Sequence, residues 1–321
     1  MKFRTEIDIK DSEIKINKED RIFSIGSCFA TEISQLLSKG QLQTFHNPFG
    51  TIFNPYSIAN AVERLHDAKL YNEEDLINYN DRIISLDHHT EFDSSFAHKT
   101  LEKINNRIEE GNVFFQSTDF VIITYGTSFI HEFLPKNKIV ANCHKIPGKF
   151  FEKRLLSQTE ISSSIQKTIQ LLKDICTDEV QIFFTVSPVR HTKDGMVENN
   201  LSKAKLITAI HETILAFTNC HYLPIYEIMM DDLRDYRFYK EDMIHPSSQA
   251  VNYIFQKFGN AFFSDETMDF VEENFKISQA LNHKTSDEKS PKHLEFLAKL
   301  KQRITAQQGK VKHKIFDVEI E

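Results

Sequence analysis

Short apolar runs separated by polar turns recur along the chain and predict the strands of a sheet. Three of them are rich in β-branched or aromatic residues, and Gly or Ser follows each one directly. These runs are continuous rather than alternating, which is typical of parallel strands buried on both faces. The predicted strands are Arg21–Ile25, Phe120–Tyr125 and Val180–Val186, with His221–Tyr226 and Thr44–Phe49 carrying a less marked form of the pattern.

Between these strands, apolar residues recur at helical spacing. The predicted helices are Ala30–Leu37, Ser57–Leu65, Ile161–Ile175, Leu201–Phe217 and Ser247–Phe258. Strands that alternate with helices indicate βαβ units. The pattern therefore predicts an α/β fold, a three-layer α/β/α sandwich around a mostly parallel sheet of about five strands.

Two segments depart from this alternation. The polar segment Tyr71–Ser95 predicts a long excursion from the core, and structured loops of this length are often functional. After Phe263 we expect a C-terminal helical extension over residues 266–321, beyond a main domain over residues 1–265. The extension comprises a polar linker (283–293) and an amphipathic helix (Leu294–Ile304). It could hold two copies of the chain together in a homo-oligomer, or it could be a solvated tail.

Composition narrows the classes of partner. The chain has 321 residues, 40% of them hydrophobic, and a formal net charge of −7. The negative charge disfavours binding to nucleic acid or to an anionic membrane. The first residues alternate charged and apolar side chains, unlike a signal peptide, and no apolar stretch is long enough to span a bilayer.

The cysteines are widely separated and form no CxxC pair. Such spacing indicates free thiols and a cytoplasmic, reducing compartment rather than a disulfide framework. The sequence contains no HExxH, P-loop or GxGxxG motif, so neither a metal ion nor another cofactor is expected. The four cysteines are Cys28, Cys143, Cys176 and Cys220.

The first predicted strand ends in a glycine and a serine. Ser27 stands at the carboxyl end of this strand and at the start of the next helix, the edge at which open α/β sheets bind ligands. Its hydroxyl is either a nucleophile or a helix N-cap. The neighbouring Cys28 is a second candidate nucleophile, since a thiol at a helix N-terminus can have a lowered pKa. We expect it to pack as a small hydrophobe, because it points elsewhere than residue 27 on a tight turn.

A carboxylate and an imidazole lie three residues apart near the end of the predicted sheet. Asp242 and His245 precede a predicted helix in the segment DMIHPSS. A serine needs a base such as imidazole, and the base needs a group that orients it. Together with Ser27 the pair predicts a Ser-His-Asp arrangement, although a DxxH alone is also typical of a solvated loop.

Several segments together resemble the bacterial GSCFA-domain proteins over roughly residues 1–260. The segments are SIGSCFA, NPFGTIFNP (47–55), NCHKIP (142–147), SPVRH (187–191) and EDMIHPS (241–247). That family is similar to a branch of the SGNH, or GDSL-type, hydrolase superfamily. The resemblance implies a flavodoxin-like SGNH-hydrolase fold, with Ser27 as nucleophile, His245 as general base and Asp242 as its orienting partner.

The same resemblance implies an oxyanion site. It would consist of the backbone N–H groups of Ser27 and Gly50. The superfamily also has a G-x-N motif whose asparagine donates to the oxyanion, whereas this chain has Gly126-Thr127-Ser128. The hydroxyl of Ser128 or Thr127 would then donate, unless Asn142 or His144 takes that place.

Further polar residues near the predicted sheet edge suggest substrate contacts. Arg190 could hold a carboxylate or sulfate by a bidentate contact, or pair with Asp194 or Glu198. The remaining candidate substrate-binding residues are His191, Asn142 and His144.

The predicted function is that of an esterase. It would remove a small acyl group, expected to be acetyl, from a hydroxylated small molecule such as a carbohydrate. An O-acyltransferase would use the same residues. The other class of function is a non-catalytic carbohydrate-binding protein.

Overall fold

Five parallel strands form the central sheet of the computed structural model, which describes residues 4–9, 12–282 and 290–317. The strands, numbered along the chain, are β1 (Arg21–Gly26), β2 (Gln43–His46), β3 (Ile77–Tyr79), β4 (Arg82–Ile84), β5 (Phe120–Tyr125), β6 (Phe129–Phe133), β7 (Lys138–Val140), β8 (Phe151–Leu155), β9 (Gln181–Val186) and β10 (Cys220–Leu223). The central sheet has the order β2-β1-β5-β9-β10, and all its neighbours pair in parallel.

Helices cover both faces of this sheet. They are α1 (Cys28–Lys39), α2 (Pro55–His66), α3 (Ala97–Phe115), α4 (Gln158–Ile175), α5 (Met196–Ile214), α6 (Ile225–Glu227), α7 (Ser248–Phe262), α8 (Asp265–Leu281) and α9 (Pro291–Gln308). Helices α2 to α5 bury apolar side chains against one face, where Phe23 and Ile25 project from β1. Helices α1, α7 and α8 pack on the opposite face, where Ile22 projects. The predicted three-layer α/β/α sandwich with a five-stranded parallel sheet is confirmed.

The predicted central elements agree with the structure to within a few residues at most ends. Strand β5 has the predicted bounds, and α1, α2 and α4 extend beyond theirs. Helix α5 is displaced, running from Met196 to Ile214 rather than Leu201–Phe217, and α7 begins one residue later than predicted and ends at Phe262. The predicted run Thr44–Phe49 ends as a strand at His46, after which Asn47 has a positive φ of 39°.

Two small antiparallel sheets and one helix outside the central sheet had no counterpart in the sequence prediction. Strands β3 and β4 form an antiparallel hairpin inside the segment Tyr71–Ser95. Strands β7, β6 and β8 form a second antiparallel sheet after β5. Along the chain, helix α3 lies between the segment Tyr71–Ser95 and strand β5. No helix in the described ranges is long and apolar enough to cross a membrane.

The chain beyond α7 folds back onto α1. Helix α8 packs in the same apolar cluster as α1, and Asn274 Nδ2 donates to the carbonyl oxygen of Gly40 at 2.9 Å. Helix α9 contains the predicted segment Leu294–Ile304 and buries Leu300, and the Arg303 guanidinium lies 2.6 Å from Glu273 on α8. The division at residue 265 and self-association through this region stay predictions.

The polar linker predicted over residues 283–293 falls mostly outside the described residues. Residues 283–289 are not described, and α9 begins at Pro291. After α9 the chain reaches the turn between α1 and β2. His313 Nε2 lies 2.8 Å from the carbonyl oxygen of Gln41, whose side-chain oxygen accepts from the N–H of Phe316 at 2.9 Å.

The strand order places the end of β1 at a special position. When only the central strands are numbered, their order in the sheet is 2-1-3-4-5. After β1 the chain adds β2 on one side and then β5, β9 and β10 on the other side, so the strand order reverses between β1 and β5. Ligands of open α/β sheets bind in the crevice at such a switch point, outside the carboxyl ends of the strands. Gly26 ends β1 at this point and pairs with Thr124 of β5.

Replacement of Gly26 by alanine should strongly destabilise the protein. Gly26 has a φ of +142°, and a Cβ there would overlap the carbonyl oxygen of Thr124. We expect Gly26→Ala to lower the free energy of unfolding by about 3 kcal/mol, measured by chemical denaturation. Gly148→Ala is the control, because a Cβ there meets no atom within 4 Å. Equal stability of the two variants would contradict this account of the corner.

Candidate active site

The corner between β1 and α1 is held by the segment that follows β2. Asn47 Oδ1 accepts from the N–H of Gly26 at 2.8 Å, and Asn47 Nδ2 donates to Thr31 Oγ1 of α1 at 2.8 Å. The N–H of Ile52 donates to the carbonyl oxygen of Gly26 at 3.1 Å. Strand end, helix start and the NPFG segment therefore form one hydrogen-bonded unit.

Ser27 lies at the N-cap position of α1 but faces the interior. The residue is 0% exposed, and its Oγ has no hydrogen-bond partner within the described chain and does not cap the helix. Its N–H donates to the carbonyl oxygen of Thr124 at 3.1 Å. Neither polar group of Ser27 is open to a substrate in this arrangement, so its predicted role as nucleophile stays a prediction that requires a local rearrangement.

Cys28 is the first residue of α1 and is half-buried. Burial raises the pKa of its thiol. The N–H groups of Cys28 and Phe29 and the ammonium of Lys203 lower that pKa and partly offset the effect of burial. The thiol therefore lies among the unpaired N–H groups of a helix N-terminus, where negative charge is stabilised.

Asp242 and His245 form a close pair in the loop before α7. Asp242 Oδ2 lies 2.7 Å from His245 Nδ1, and Asp242 Oδ1 accepts from the N–H groups of Ile244 and His245 at 2.8 and 3.0 Å. These N–H groups, the His245 backbone N–H foremost, lower the pKa of Asp242 to about 2. The ionised Asp242 accepts a hydrogen bond from Nδ1–H of His245, and in that tautomer the lone pair lies on Nε2. In the part of the chain that the structure describes, this Nε2 has no hydrogen-bond partner.

Lys240 joins this loop to α1 through one contact. The N–H of Lys240 donates to the carbonyl oxygen of His245 at 2.7 Å. Lys240 Nζ donates to Glu32 Oε1 on α1 at 2.8 Å. Residues 28 and 32 lie one turn apart on the same face of a helix. Cys28 therefore belongs to the face of α1 that meets the loop carrying His245.

Lys203 is a buried ammonium that the sequence prediction missed. It projects from α5 and is 1% exposed, and its Nζ donates to the carbonyl oxygens of Gly126 and Ser187 at 2.6 and 2.7 Å. These carbonyls follow β5 and β9, so Lys203 joins two neighbouring strand ends at the site. Burial lowers its pKa to about 7. The sequence does carry one signal for this burial. Lys203 comes three residues before Leu206 and seven before Ile210, at the helical spacing of the buried face of α5.

His191 and Arg190 border the same edge. His191 Nε2 is buried without a partner in the described chain, near Gly126, and burial and the Lys203 ammonium lower its pKa to about 3. The Arg190 guanidinium stacks on the ring of Tyr239 at 4.0 Å rather than forming an ion pair within the described chain. Substrate binding by His191 and Arg190 stays a prediction.

The other predicted oxyanion donors already have partners. The N–H of Gly50 donates to the carbonyl oxygen of Asn47 at 2.8 Å. Ser128 is buried and its hydroxyl donates to Ser202, and Thr127 Oγ1 lies 3.0 Å from Ser202 Oγ. Like the Ser27 N–H, these groups would have to exchange a present hydrogen bond before they could bind an oxyanion.

Asn142 and His144 belong to a separate buried network. His144 Nδ1 lies 3.2 Å from Asp93 Oδ2, and His144 Nε2 lies 2.8 Å from the carbonyl oxygen of Ser85. Asn142 Oδ1 accepts from the N–H of His144 at 3.0 Å. Both ring nitrogens are satisfied by protein atoms, so this arrangement supports a role in fixing the segment Tyr71–Ser95 and offers no free group of His144 to a substrate.

The titration of Lys203 should make stability depend on pH. Its folded-state pKa lies below the unfolded value of 10.5, so between about pH 7 and 10 the unfolded chain binds more protons and stability rises with pH. We expect the free energy of unfolding to rise by about 2 kcal/mol from pH 7 to 9 relative to Lys203→Met, measured by urea denaturation. Lys205→Met, a half-buried lysine on the same helix, should follow the wild type. Parallel curves for wild type and Lys203→Met would contradict this assignment.

Comparisons with known proteins identify the family. No curated protein sequence matches the chain. A DUF4886 family protein from Bacteroides uniformis matches in structure with 9% identity and a TM-score of 0.37, covering 92% of this chain and 97% of that one. A carbohydrate esterase family 2 enzyme with a carbohydrate-binding domain from Corynascus thermopiles (Myceliophthora fergusii) matches with 10% identity and a TM-score of 0.37, covering 78% and 67%. Likenesses this weak carry no conclusion about activity. The model of the GSCFA family matches residues 21–258, and the chain therefore belongs to the GSCFA family.

Proposed function

We propose that this protein is an ester hydrolase that removes a small acyl group, with acetyl as the expected group, from a hydroxylated substrate such as a carbohydrate. The observation that carries the proposal is the Asp242–His245 pair, with its 2.7 Å contact and free Nε2, in the loop joined to α1 beside the switch point. The N–H groups of Ile244 and His245 fix the Asp242 carboxylate, which sets the position of the imidazole that it contacts.

The pair suits general base catalysis. Asp242 holds the imidazole in the tautomer that presents the Nε2 lone pair. This nitrogen takes the proton of a nucleophile from the corner between β1 and α1, which attacks the ester carbonyl. The imidazolium then gives its proton to the leaving alkoxide, and water releases the acyl group by the same steps.

Positive charge at the corner supports the same chemistry. The N-terminus of α1 and the Lys203 ammonium both interact favourably with negative charge near Cys28. An oxyanion that forms at this point is stabilised by both.

Removal of the base should abolish ester hydrolysis. We expect His245→Ala to lower kcat/KM for p-nitrophenyl acetate by about 10³-fold, and Asp242→Asn by a comparable factor, because the imidazole is lost or held in the wrong tautomer. The control is His66→Ala, since His66 and Asp67 form another His–Asp contact of 2.7 Å away from this edge. Release of acetate from a peracetylated sugar is measured in parallel.

A second candidate function is non-catalytic carbohydrate binding. It is favoured by the N–H groups of Ser27 and Gly50, whose hydrogen bonds leave neither free for an oxyanion. Hydrolysis at equal rates by wild type and His245→Ala, or no hydrolysis by either together with sugar binding in calorimetry, would reject the hydrolase in favour of this alternative.

A further inference from the structure

We propose that Cys28, rather than Ser27, is the nucleophile of this site and carries the acyl group as a thioester. The inference rests on the proposed function, which requires a nucleophile at the corner but leaves its identity open between these two neighbours.

Ser27 and Cys28 differ in their exposure to solvent. Ser27 is 0% exposed and its Oγ meets no polar atom in the described chain. Cys28 is half-buried and packs against the apolar cluster around α1, so the residue lies at the boundary between that cluster and the surface. An atom that must reach an ester carbonyl has to stand at such a boundary.

Cys28 lies on the face of α1 that is bonded to the loop carrying His245. Glu32, one helical turn after Cys28, is bound by Lys240 Nζ at 2.8 Å, and the Lys240 N–H is bonded to the carbonyl oxygen of His245. The face of α1 that carries the thiol is therefore the face that meets the loop of the general base, whereas Ser27 faces away from solvent.

Groups that could donate to an oxyanion lie near Cys28. The N–H groups of Cys28 and Phe29 lower the pKa of the thiol, and they are first-turn groups that need a partner outside the helix. Lys203 Nζ uses two of its three hydrogens on the carbonyls of Gly126 and Ser187. Attack by Cys28 places the oxyanion near these donors. The engagement of the Ser27, Gly50 and Ser128 groups then presents no obstacle.

The four cysteine thiols differ in the groups that offset the effect of burial on their pKa. Burial raises the pKa to about 11 for Cys143 and to about 12 for Cys176 and Cys220. Cys28 alone among them has helix-terminal N–H groups that lower its pKa. Because its own pKa is also raised overall, the resting group is the neutral thiol and the reaction needs a base.

The chemistry balances with the ester and water alone. His245 Nε2 takes the thiol proton as the sulfur bonds to the carbonyl carbon, and the bond from that carbon to the alkoxy oxygen breaks as the alkoxide takes the proton. Water then attacks the thioester carbon and its proton passes to Nε2, and the C–S bond breaks as the departing thiolate takes that proton back from the imidazolium. The products are the alcohol, the carboxylic acid and the free thiol.

The test is to trap and locate the acyl group. Wild-type protein mixed with p-nitrophenyl acetate is quenched in acid, and intact-mass and peptide-mass spectrometry measure the acetyl adduct. We expect the adduct on Cys28, with release by neutral hydroxylamine as a thioester, and its loss in Cys28→Ala together with a fall in turnover of about 10³-fold. Cys143→Ala, which removes another half-buried thiol, should keep turnover within about twofold.

A chemical measurement covers the case in which Cys28→Ala fails to fold. Iodoacetamide should alkylate Cys28 of the wild type at least about tenfold faster than Cys143, and turnover should be lost in step with that modification. His245→Ala should slow the alkylation of Cys28 and leave that of Cys143 unchanged.

The outcomes separate the two proposals. An acetyl group on Ser27, or full turnover after alkylation of Cys28, overturns the assignment of the nucleophile and leaves the ester hydrolase standing. Absence of both turnover and adduct in the wild type overturns the hydrolase and this assignment together.

Discussion

The close approach of β1 to β5 at Gly26 is the constraint on which the site depends. Because Gly26 has no side chain, the chain can turn against the Thr124 carbonyl and begin α1 immediately. The turn sets the helix N-terminus at the switch point of the sheet, and Asn47 fixes it from the neighbouring strand end. The thiol, the helix-terminal N–H groups and the Lys203 ammonium share one edge because this corner is tight.

The central sheet could be predicted from the sequence because its signal is local. A strand such as β5, buried on both faces, is a continuous apolar run whose ends are visible in the residues themselves. The antiparallel strands β6 and β8 are half-exposed and mix charged with apolar residues, so they lack such a run. Helix α3 buries only Thr100, Ile104, Ile108, Gly111 and Phe115 along nineteen residues, a stripe too narrow to stand out from its polar surroundings.

The site was predictable to the extent that its groups lie close in sequence. Asp242 and His245 contact each other through a short loop, so their spacing alone indicates the pair. The partners of Lys203 are backbone carbonyls from two other strands, which no residue pattern reveals. Similarly, the choice between Ser27 and Cys28 depends on the rotation of one peptide unit at the corner, a quantity that residue types do not fix.

The C-terminal segment has a consequence for motion. Helix α1 is anchored at its start by the corner and at its far end by Asn274, which binds Gly40, while His313 and Phe316 bind Gln41. A helix fixed at both ends cannot act as a hinge. Any adjustment at the corner is therefore expected in the opposite wall, the loop around Lys240 and His245, whose side chains are partly solvated.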